Sequence, residues 1–198
     1  EMFTYRLTEL VPHFFGLDDF FFLRFHHRTG SSDFELTKLL NMSPVAVPHG
    51  IGLREHYCQR WPAIRLLKSL DRQQRTNGVS MDPRDESPRF LAQRSSYIDS
   101  EAEFLVLSTA RPLALRPETN SCVSIGFLMT DTFKQTVRFW DDDAISSDRV
   151  NLTCERCPLP PADCQERVAP PSLHEEEQTQ KRKEAALKAL TDAARREE

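Results

Sequence analysis

The chain has 198 residues, 39% hydrophobic and 28% charged, enough for one domain with a sizeable core and a small appendage. A net charge of −4 argues against a dominant nucleic-acid surface, and no apolar run approaches the roughly 18 residues of a membrane span. Six Gly against 13 Pro, with neither GxGxxG nor GxxxxGK[ST], exclude the glycine-rich cradles of Rossmann and P-loop enzymes.

Phe3, Leu7, Leu10 and Phe14 recur at helical steps, so a helix is predicted over 3–15, with Pro12 disturbing its last turn. Beyond Gly16, the aromatic run Asp18 to His26 predicts a buried strand. Thr29 to Asp33 reads as a turn, and Phe34 to Leu39 as the hairpin partner. Trp61, Ile64, Leu67 and Leu70 predict a helix within 57–70, where Pro62 fits only near the first turn. Residues 71–88 are polar and aperiodic, carry two prolines and Asn77-Gly78, and read as a mobile surface loop. Three further strands are predicted over 90–98, 102–115 and 122–130, and Asp131 is placed to cap a short helix through Phe139.

Five strands with few helices predict an α+β fold, a GAF/PAS-like antiparallel sheet with flanking helices over residues 1–140. Residues 141–171 form a Cys- and Pro-rich knot, and 172–198 a solvated C-terminal helix. Along that helix the thin stripe of Leu187, Leu190 and Ala194 offers a homodimer contact. The chain opens at Glu1 without an initiator Met, which suggests a fragment of a longer protein. Five cysteines without a secretory signal fit a reducing compartment, so a cytoplasmic location is expected.

The sharpest feature is Cys154-Glu-Arg-Cys157-Pro-Leu-Pro-Pro-Ala-Asp-Cys164. A CxxC pair turns two thiolates toward one point, and a third Cys seven residues on can close on the same ion. Prolines 158, 160 and 161 reduce the entropy lost on ordering the loop, and a segment so poor in large apolar residues needs a metal to supply its folding energy. Cys58, Cys122, His56 and His174 are the candidates for a fourth ligand. A set of four cysteines suits tetrahedral zinc or an iron–sulfur cluster, and spacing alone does not separate them. No HExxH and no GxSxG occurs, so no enzymatic activity is expected.

The segment from Cys154 to Cys157, with Asp163-Cys164-Gln-Glu-Arg167 and Pro170-Pro171, resembles the terminal CRxCxRxDCxxRAxPP signature of the short-chain fatty-acyl transcriptional regulators. These are bacterial proteins with an N-terminal helix-turn-helix of the XRE type, represented by the mycobacterial propionate and glyoxylate regulators. Gly50 to Trp61, with Cys58 in its middle, is similar to the family's GGxCPLW element, and Phe22-Leu-Arg to Leu36-Thr-Lys to its LRxDxxGxxxKR strand pair. Gln59-Arg60 stands where the family has Pro-Leu, and the gap from Cys157 to Cys164 is longer by Pro-Pro.

The resemblance implies that Cys58 joins Cys154, Cys157 and Cys164 around a [4Fe–4S] cluster, zinc being the alternative, and that Cys122 is left over. It also implies an acyl-CoA-like effector whose phosphates meet Arg24, Arg54 and Arg60, with Arg28 and Lys68 nearby, and DNA contact only through a missing N-terminal helix-turn-helix. A redox or oxygen sensor, with the four-cysteine centre as its input, is the rival expectation.

Overall fold

The computed structural model describes residues 2–49, 55–78 and 88–194. Helix α1 (Met2–Phe15) leads into strands β1 (Phe20–Arg28) and β2 (Glu35–Asn41) and helix α2 (Pro62–Asn77). Strands β3 (Arg89–Tyr97), β4 (Glu103–Leu113) and β5 (Arg116–Leu128) follow, then helix α3 (Asp131–Thr136), strand β6 (Ser146–Val150) and helix α4 (Ser172–Ala194). The six strands form one sheet in the order β2-β1-β5-β4-β3-β6. The α+β class therefore holds, but the sheet is mixed: β6 runs parallel to β3, while the other pairs are antiparallel.

The purely antiparallel sheet expected from the sequence is corrected at that edge. Ser146-Ser-Asp-Arg-Val150 is short, polar and mostly exposed, so it carries no strand periodicity; its backbone pairing with β3 makes it a strand. The segment 141–171 thus contributes Ser146–Val150 to the sheet.

Side chains alternate across β1 as the pleat requires. Phe21, Leu23 and Phe25 face Ile64, Leu67 and Leu70 of α2 in the larger core, whereas Phe20 packs on the other face with Leu105, Ile125, Phe127 and Phe133. Helices thus cover both faces. Pro62 occupies the first turn of α2, where its missing N–H costs nothing. The expected loop over 71–88 is corrected in its first part, because Asp71 to Asn77 continue α2; residues 79–87 lie outside the described residues. The predicted stripe on α1 holds only at Leu7. Phe3, Leu10 and Phe14 are exposed, and Thr4 and Val11 complete the packed side with Leu7. Pro12 sits inside α1, which Gly16 ends in the left-handed conformation (φ 62°) with its N–H on the Pro12 carbonyl.

Phe21 lies opposite Gly126 on β5, and its ring occupies the space a Cβ there would need. Gly126→Ala should therefore destabilise the fold by about 1–3 kcal/mol in urea unfolding, since the fully buried Phe21 has no room to yield. The Tyr97 hydroxyl is buried without a hydrogen-bond partner among the described residues, and burial raises its pKa. Tyr97→Phe is expected to stabilise the protein by about 1 kcal/mol. The sign with pH follows: a tyrosine that ionises at about pH 10 only when unfolded leaves stability intact below that pH and lowers it above. The alkaline loss should be smaller in the Phe variant.

Candidate metal centre

Two remote stretches meet beside the N-terminus of α2. The residues before that helix run antiparallel to those after β6, through a bridge pairing Tyr57 with Thr153. The Cys58 N–H donates to the Leu152 carbonyl at 3.2 Å, and the Cys154 N–H to the His56 carbonyl at 2.8 Å. Cys58 and Cys154 therefore stand diagonally across one short ladder. Side chains reinforce it. Glu55 takes both arms of the Arg156 guanidinium at 2.7 and 3.0 Å, and the buried Glu155 carboxylate accepts from the His56 backbone at 2.9 Å and pairs with its Nδ1 at 2.7 Å.

Beyond Cys154 the chain coils tightly. The Cys157 N–H reaches the Cys154 carbonyl, and one 3-10 turn, Pro161–Asp163, delivers Cys164. Arg167 closes the coil by donating to the carbonyls of Cys154 (3.1 Å), Cys157 (3.3 Å) and Leu159 (2.6 Å). Arg60 fastens it to α2 through the Asp163 carbonyl and through Glu166, while Arg65 bonds Asp148 on β6. Cys157, Leu159 and Cys164 pack with Ile98 as a small cluster of their own.

All four predicted ligands, Cys58, Cys154, Cys157 and Cys164, are buried and carry free thiols. Burial pushes the Cys58 thiol up to about 11; amides at Asn151 and Arg60 oppose this, and the neighbouring Cys154 and Cys157 add to it. Burial likewise raises Cys154, with Glu155 and then Cys164 adding to the rise and the Val168 amide and Arg167 opposing it. Such thiols keep their protons unless positive charge arrives, which is the electrostatic service a metal ion gives thiolate ligands. The chemistry of the donor set thus suits a soft cation. The arrangement is not a closed shell: among the described residues no group of three or more His, Cys, Asp or Glu side chains is arranged to hold a metal ion.

The other candidates separate cleanly. Cys122 is fully buried in the sheet core, away from the coil. His56 serves Glu155, and the His174 N–H caps the Glu155 carbonyl, tying the start of α4 to the CxxC turn. Of the proposed phosphate-binding arginines, Arg24 and Arg60 are not brought together. Arg24 bonds Thr37 and Tyr5 on the α1 side of the sheet, Arg60 belongs to the coil on the α2 side, and Arg54 lies outside the described residues. Glu155 and the carbonyl-binding role of Arg167 escaped the sequence reading, although both sit inside its cysteine signature.

No family model, curated protein or solved structure matches the chain. Among the described residues no helix is long and apolar enough to cross a membrane.

Proposed function

We propose that the chain is a non-enzymatic sensor, the effector part of a bacterial transcriptional regulator of the short-chain fatty-acyl type, in which Cys58, Cys154, Cys157 and Cys164 hold a [4Fe–4S] cluster or zinc. One observation carries the reading: the Tyr57–Thr153 ladder brings Cys58 beside the CxxC turn, though they are distant in sequence. The bound centre would supply the cross-link that a coil with so small a core lacks. The effector implied by the resemblance is acyl-CoA-like. Arg24 and Arg60 already spend donors within the protein, so they give that part of the proposal little support.

Anaerobically purified protein should contain about four iron and four acid-labile sulfide per chain, lost in Cys58→Ser. Stoichiometric zinc lost in the same variant would keep the four ligands and make the centre structural. Protein that holds neither metal, with Cys58→Ser indistinguishable from wild type, would sink the proposal. A second reading takes the centre itself as the signal. It is favoured by the separateness of the Cys157–Leu159–Cys164 cluster from the main core, which lets the coil loosen while the sheet stays folded. Air exposure that frees the coil and leaves the sheet's unfolding midpoint unchanged would select it.

A further inference from the structure

A cavity of about 700 Å³ opens next to the coil, walled by His27, Phe34, Glu55, Tyr57, Gln59 and Lys68 among others. Its carboxylates are held elsewhere or stand at the rim: Glu55 is taken by Arg156, Asp71 accepts the Gly30 N–H at 2.7 Å with Arg75 beyond, and Asp33 is exposed and accepts from the Ser32 hydroxyl. Lys68, half-buried on α2, makes no close ion pair among the described residues; burial lowers its pKa, while Cys154 and Glu166 act on it at longer range in the opposite sense. An ammonium in that position favours an anion.

Two further groups on the wall are buried and unpartnered among the described residues: His27 Nε2 and Gln59 Oε1. The Gln59 amide nitrogen donates to the Tyr57 carbonyl at 2.7 Å, which fixes the side chain and leaves its oxygen as the idle acceptor. His27 Nδ1 lies 2.9 Å from the Asp33 carbonyl and must carry the proton there; Nε2, 3.7 Å from Asp71 Oδ1, is then an acceptor if it bears no proton and a donor facing Asp71 if it does. Phe34 stacks on the His27 ring, giving one apolar wall. The lining therefore offers one ammonium without a close counter-ion and at least one buried acceptor without a donor.

We propose that this cavity is a binding site for a small carboxylate bearing a hydroxyl or amino group, the carboxylate on Lys68 and the donor toward Gln59 and His27. The site goes beyond the proposed function and does not depend on the cysteine centre, whose metal content is read separately.

Isothermal titration of the purified chain with 2-hydroxybutyrate, 2-aminobutyrate, butyrate and butane-1,2-diol tests it. Saturable binding of the hydroxy or amino acid is expected, with butyrate and the diol each at least about tenfold weaker, since each lacks one complementary group. The stronger of the two acids identifies the donor as hydroxyl or ammonium. Lys68→Met should erase the preference for acid over diol, and Lys68→Arg should retain it, which separates lost charge from lost folding. No saturable binding by any of the four, or an unchanged preference in Lys68→Met, overturns the site.

Discussion

Trp61→Ala is expected to lower the unfolding free energy by about 3–5 kcal/mol, among the larger losses a single core truncation produces. The indole is 2% exposed and meets Phe21 and Tyr97 edge-on, each with ring centres 5.9 Å away. Its N–H donates to the Asn151 carbonyl at 2.8 Å, at the point where β6 gives way to the cysteine segment. Its own carbonyl accepts from Arg65 and opens α2. Trp61→Phe keeps most of the buried ring and leaves the Asn151 oxygen without its donor, so a loss of about 1–2 kcal/mol is expected. Urea unfolding measures both variants. Hydrogen exchange at the amides of Cys58 and Cys154 should quicken in both, because the same indole anchors the ladder that protects them.

Arg167→Met should act more locally. One guanidinium satisfies three carbonyls of the coil, and charge-assisted bonds contribute about 1.5–3 kcal/mol each when removed singly. They share one side chain, so the losses overlap, and a local destabilisation of about 3 kcal/mol is expected. In metal-free protein a thiol reagent should reach Cys154, Cys157 and Cys164 much faster in the variant, while Cys122 stays protected in the sheet. A variant whose cysteines react at wild-type rates would show that the coil holds its shape without this arginine.

The parts legible in the sequence are those where periodicity and burial coincide. Trp61, Ile64, Leu67 and Leu70 placed α2, and the aromatic run placed β1, because each pattern faces a core built from the other. The misread stretch 71–77 shows the converse. Gln74 is polar yet nearly fully buried, exchanging hydrogen bonds with Asn120 (3.0 and 2.7 Å) and accepting one from Thr29 at 2.7 Å, so the helix continues over a polar end of the sheet where no apolar period marks it. β6 was hidden for a related reason, its pairing being wholly main-chain. On α1 three of the four stripe residues, Phe3, Leu10 and Phe14, face outward, since the side that packs joins Leu7 with Thr4 and Val11. At the site, cysteine spacing was readable while the role of Arg167 was not, because three carbonyls converge on one point only after the coil has formed.

Residues 55–59 belong to two compartments at once. Their main chain carries the ladder that draws Cys58 toward Cys154, and side chains of Glu55, Tyr57 and Gln59 form a wall of the adjoining cavity. An occupant that firmed this stretch would lessen the ordering cost left for the sulfur-bearing coil, and an assembled coil would do the same for the occupant. Thermodynamic reciprocity would make the two factors equal. Under the proposals above, a shared wall of this kind would couple two chemically unlike ligands without either touching the other.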